Sequence, residues 1–129
     1  MIATDLITIL DAVVANGVGQ SLDVSQHRFI TVAVDTASNA NLTLQAVGSI
    51  ADSCPTFSAA QTAANSYDFI SMIDLQDASA VYGDDGIKPA GTDDHRLLTI
   101  NVDGIKWLNF KVSDYVAGAV TVKIKKFKD

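Results

Sequence analysis

Two alternations of apolar and polar residues set the pattern of the chain. Ile30, Val32 and Val34 alternate with Phe29, Thr31, Ala33 and Asp35, and Leu42, Leu44 and Ala46 alternate with Thr43, Gln45 and Val47. A period of two puts each apolar set on one face of a β-strand, toward a core. The turn formers Thr36 to Asn41 between them predict a hairpin loop. Upstream, Leu6 to Leu10 and on through Val13-Val14 is strand-like, its adjacent apolar pairs implying burial on both faces or a bulge. After Gly48 the pattern lapses: residues 51–66, ADSCPTFSAAQTAANS, read as a long functional or packing loop with room for one helical turn around Ser58 to Ala64. A strand resumes over Tyr67 to Leu75, and a Gly- and Asp-rich loop follows from Tyr82 to Asp94.

In the last third, Leu98, Ile100 and Val102 alternate with Thr99 and Asn101, and Asp103-Gly104 predicts a tight hairpin pairing 95–103 with 105–113. A final strand over Val116 to Phe127 turns Val120, Val122 and Ile124 inward, with Phe127 a further inward candidate, and Thr121, Lys123 and Lys125 outward. Seven to nine strands with short turn signals predict an all-β, single-domain antiparallel β-sandwich over residues 1–129. It is expected to be jelly-roll-like, with residues 1–4 as an N-terminal arm and at most one short helical turn.

Composition agrees. All 15 acidic residues are Asp, which favours turns and caps, and Glu, a good helix former, is absent. At 129 residues with 48% hydrophobic and 19% charged residues, one compact domain is expected. The opening MIATDLITILDAVVANG has no basic n-region and is interrupted by Asp5 and Asp11, so neither a signal peptide nor a membrane span is expected. The one cysteine, Cys54, excludes an internal disulfide and reads as a small buried thiol.

Charge is polarised. Residues 1–104 carry 13 Asp against Arg28, Lys88 and Arg96, a net of −10, whereas residues 105–129 carry six Lys against two Asp, a net of +4. An acidic domain of pI about 4.6 is a poor match for a phosphate backbone, so no nucleic-acid partner is expected. The lysines of the last strand read as a solvated face or edge protection, with docking to an acidic surface as the alternative.

Candidate chemistry is sparse. Asp84-Asp85 and Asp93-Asp94 bracket a Gly-rich loop with oxygen ligands enough for Ca²⁺, but the spacing departs from the calcium-loop pattern and an Asp-rich turn is favoured. His27 and His95 each precede an arginine at a strand start and form at most an incomplete site. No phosphate-cradling loop, dinucleotide fingerprint or nucleophile elbow occurs. Trp107 falls on the strand face of Lys111, opposite Phe110, so these two and Tyr115 make no single stacking platform. No catalytic, metal or cofactor residues are assigned, and an enzyme is not expected.

Gly48-Ser49-Ile50-Ala51-Asp52 with Pro55 and Phe57, Asn65 to Phe69, Ile73 to Asp77 and Gly83 to Ile87 resemble segments of small tailed-bacteriophage virion proteins. Asn101 to Leu108 and Ala117 to Val122 are similar to the same group, and the likeness runs from about residue 5 to 127. The resemblance implies a capsid decoration or cement protein, a homotrimer bound to the major capsid protein on the virion head and made in the bacterial cytoplasm. It carries over no catalytic residues. On this reading Ile2 in the arm, Phe57 as an apolar anchor, and Lys123, Lys125, Lys126 and Lys128 are the interaction candidates, with no membrane partner. The competing expectation is a carbohydrate-binding or host-adhesion module presenting Trp107, or Tyr82 and Tyr115, on one flat patch or beside a bound Ca²⁺.

Overall fold

The structure, a computed structural model, describes residues 2–3 and 5–128, with side chains from residue 5 to 127. The described residues contain ten strands and no helix: β1 (Ile2–Ala3), β2 (Ile7–Val13), β3 (Gly17–Val18), β4 (Leu22–Asp23), β5 (Phe29–Ser49), β6 (Asp68–Ile70), β7 (Met72–Asp74), β8 (Ala80–Val81), β9 (His95–Asn101) and β10 (Trp107–Lys128). All their pairings are antiparallel, in the order β1-β10-β5-β9-β7-β8, with β2, β3 and β4 also on β10 and β6 on β5.

The two long strands make the fold. β5 and β10 pair from Trp107 opposite Ser49 to Phe127 opposite Phe29, with register shifts between Ser113 and Ala119. Asn101 at the end of β9 pairs with Phe29, and only residues 102–106 separate it from Trp107, which pairs with Ser49. That linker reaches about 20 Å at full stretch, whereas a straight 21-residue strand would run about 66 Å. The β5–β10 ribbon is therefore folded over on itself, giving two layers. Layer A holds the first half of β5 and the second half of β10 with β1, β2, β9, β7 and β8; layer B holds the other halves with β3, β4 and β6.

The corner has a local cause. Ser38 and Asn39 take left-handed φ values of 63° and 56° in β5, and Asp114 and Gly118 take 51° and 86° in β10. Such residues kink and twist a strand without ending it. A Cβ on Gly118 would lie 2.5 Å from Ala40 Cα and 2.7 Å from the Ala37 carbonyl oxygen, so glycine is needed where the two strands cross.

One core lies between the layers. Ile30, Val32 and Val34 meet Leu42, Leu44 and Ala46 from the other half of the same strand, joined by Leu108, Phe110 and Val112 and by Val120, Val122 and Ile124. These inward sets are the ones the alternation predicts, and the all-β, antiparallel, single-domain sandwich is the fold adopted.

Several expectations are corrected. Thr36 to Asn41 is not a hairpin loop: the flanking strands are one strand, because β10 bends at the same place and pairs with both halves. The 95–103/105–113 hairpin does not form. Past Gly104, at φ 88°, the chain crosses to layer B, so β9 and β10 flank the two halves of β5 instead of pairing with each other. The strand over Tyr67 to Leu75 divides at Ser71 into β6 in layer B and β7 in layer A. Residues 2–3, expected as an arm outside the sheet, pair with Phe127 and Lys128 as β1.

Candidate interaction surface

The outer faces of the two layers differ. Over layer B, residues 51–67 form a structured lid. Phe57 is 2% exposed, packed edge-on to Tyr67 at 5.2 Å in a cluster with Val47 and with Val18, Phe69 and Trp107. The lid's polar groups find local partners. Asn65 Nδ2 donates to the Thr56 and Ala60 carbonyls at 2.9 and 3.1 Å, and its Oδ1 accepts from Thr56 N at 2.8 Å. Tyr67 Oη donates to Ala59 O at 2.6 Å, Lys111 Nζ to Phe57 O at 3.3 Å, and Trp107 Nε1 to Ala51 O at 3.0 Å. Phe57, the candidate apolar anchor, thus spends its ring inside the protein's own lid. Cys54, expected as a buried thiol, is exposed on the same loop.

Layer A has no lid. The positions alternating with the core project outward there: Phe29, Thr31 and Ala33 on β5, Leu97 and Thr99 on β9, Lys123, Lys125 and Phe127 on β10. Leu6 and Leu97 are 56% and 51% exposed, and Ile73 and Leu75 are also exposed. Phe127, an inward candidate from the sequence, instead stacks on Phe29 on this face, with ring centroids 5.4 Å apart. A depression of about 170 Å³ is floored by Thr31 and Ala33, walled by Leu6, Leu97 and Phe127, and rimmed by Lys123 and Lys125. Beside it runs an open groove of about 590 Å³ between Arg28, Phe29, Ile73 and Asn101.

The lysines separate into two groups. Lys123 and Lys125 share the open face, while strand alternation turns Lys126 to the other side, where it acts with Lys106 on Asp23. The Asp23 carboxyl is held below its ordinary value first by hydrogen bonds from the Ser25 hydroxyl and amide, then by these cations. The side chains of Ile2 and Lys128 lie outside the described residues. The terminal strand is not a docking edge, because β10 is paired with β5 on one side and with β1, β2, β3 and β4 on the other.

The remaining candidates do not assemble. His95 Nδ1 lies 2.8 Å from Asp35 Oδ1, at the opposite end of the β5–β9 ladder from His27. Asp93 Oδ1 accepts the Asn39 and Ala40 amide hydrogens, and Asp94 Oδ2 lies 3.0 Å from Arg96 Nε and Nη2. Among the described residues, no three His, Cys, Asp or Glu side chains gather to hold a metal. Phe110 is buried, Tyr115 donates its hydroxyl to Gly118 O at 2.6 Å at the corner, and Tyr82 lies 67% exposed past β8. Trp107, Tyr82 and Tyr115 therefore share no flat patch. The open face escaped the sequence reading, although the paired Leu97-Leu98 and Ile30-Phe29 carried its signal: in each pair one residue faces the core and the other must face out.

No protein-family model matches the chain, and no curated protein matches it. Among solved structures, the chain is similar to the crystal structure of the SPBc2 prophage-derived protein YomS, with a TM-score of 0.70, 16% sequence identity, and coverage of 98% of this chain and 95% of that one. The likeness spans nearly the whole of both chains, and what it shows is a shared fold.

Proposed function

We propose that the protein is a non-enzymatic structural component of a tailed-phage virion, a decoration protein that binds the major capsid protein on the head surface as a homotrimer. The observation that carries this reading is the asymmetry of the sandwich: one outer face is sealed by the protein's own lid, and the other offers apolar side chains and two lysines to a partner. A rigid module with one adhesive face suits attachment to a repeated lattice, where several weak contacts per trimer multiply through effective concentration. The shared fold with a prophage-derived protein supports the phage setting.

Electron microscopy of intact virions, with the protein located by a specific antibody fragment, tests the reading. Regular density on the head is the expected result; label confined to the neck or tail would overturn it. A glycan-binding module remains the second reading on one observation, the groove in which the Phe29 ring adjoins Arg28 and Asn101. Binding on a glycan array that Phe29→Ala abolishes would favour it.

A further inference from the structure

We propose that the lysine-rimmed depression on layer A is a socket for a second copy of this chain, which inserts its Tyr82–Asp85 loop head to tail. The inference rests on the self-association in the reading above, and it stands whether or not the assembly sits on a phage head.

The socket is apolar within and cationic at its rim. Leu6, Leu97 and Phe127 wall it, and among the described residues neither Lys123 nor Lys125 has a carboxylate partner. The nearby outward carboxylate of Asp35 is engaged by His95. An occupant must therefore bring an apolar group flanked by negative charge.

This chain presents such a group. Tyr82 is 67% exposed and is followed by Gly83, Asp84 and Asp85. The loop is held in shape from beneath. The buried Gln45 amide donates to the Gly83 and Asp84 carbonyls at 3.1 and 2.8 Å, Ser71 Oγ accepts from Gly83 N at 3.1 Å, and the Asp85 and Gly86 amides both donate to Tyr82 O. A loop already ordered loses little freedom on insertion. Its backbone is also held away from its own socket, because the loop follows β8, which β7 separates from the socket strand β9 on the sheet. Socket and loop are different patches, so the contact is heterologous and generates a closed ring or a filament. The pairing also offsets the repulsion between copies that each carry a net charge of −6.

Size-exclusion chromatography with light scattering on the purified full chain tests the proposal. The wild type should associate at about 0.1 M salt and dissociate toward monomer near 1 M, where charges are screened within about 3 Å. Lys123→Asp/Lys125→Asp and Asp84→Lys/Asp85→Lys should each run as folded monomers, with wild-type circular dichroism. Their equimolar mixture should associate again, in even-numbered species, since both junctions regain opposite charges. Ile50→Ser, a change at an exposed apolar residue on layer B, should leave the wild-type mass unchanged. A wild type monomeric at about 1 mM, a variant of either charge pair that keeps the wild-type mass, or a mixture that stays monomeric would overturn it. Solution assembly together with absence from the head would instead remove only the capsid reading.

Discussion

Asp93 ties the loop before β9 to the corner of β5: its Oδ1 accepts the amide hydrogen of Asn39 at 2.9 Å and that of Ala40 at 3.4 Å. Ala40 is fully buried, so its amide has little access to water. Asp93→Ala should destabilise the protein by about 1–3 kcal/mol, measured by urea denaturation. A change below a few tenths would show that the corner holds without it.

Gly118 is the second support of the corner. Gly118→Ala combines a positive φ with a Cβ against Ala40 Cα. A loss of about 2–4 kcal/mol is expected from strain and overpacking together, with the thermal midpoint falling accordingly. An unchanged midpoint would mean that the strands part there without cost.

Removing the Phe57 ring should unfasten the lid before the sandwich. Phe57→Ala is expected to cost about 3–5 kcal/mol. Amide exchange should rise across residues 51–67 while β9 and the layer A half of β5 keep their protection, because Phe57 belongs to a cluster separate from the main core. Uniform loss of protection would place Phe57 in the global core.

Acid should weaken the turns built on Asp23 and Asp77. Both carboxyls are lowered from 3.8, chiefly by hydrogen bonds from Ser25 and Ser79 respectively. A lowered folded value contributes stability above the unfolded value, and that contribution is lost as pH falls through the folded one. The Asp23→Asn/Asp77→Asn variant should therefore be less stable than wild type near pH 6, with the gap narrowing as pH falls below the ordinary carboxylate value of 3.8. A gap independent of pH would assign the difference to packing.

The strand faces were legible in the sequence because burial follows a period of two: Ile30, Val32 and Val34, and again Val120, Val122 and Ile124, lie where alternation puts them. The connections were less so. Ser38 and Asn39 do adopt the left-handed conformations their residue types favour, but a corner and a hairpin use the same local geometry, and only the partner strand decides between them. Asp103-Gly104 likewise announces a turn without saying which strand the chain pairs with next. Phe57 looked like an anchor because its neighbours are small and polar; its burial depends on Tyr67 and Val47, which the fold alone brings beneath it. Proximity in sequence groups the lysines, whereas β10 sends Lys123 and Lys125 to one side and Lys126 to the other.

The β5–β10 ribbon also sets a timetable for the newborn chain. Its paired residues are separated by 58 positions at Trp107 and Ser49 and by 98 at Phe127 and Phe29. Contacts so distant form slowly, and at about 5–20 residues/s of synthesis β5 waits on the order of several seconds for its partner. During that interval the core lacks Leu108, Phe110, Val120, Val122 and Ile124, so the sandwich closes only once β10 has been made.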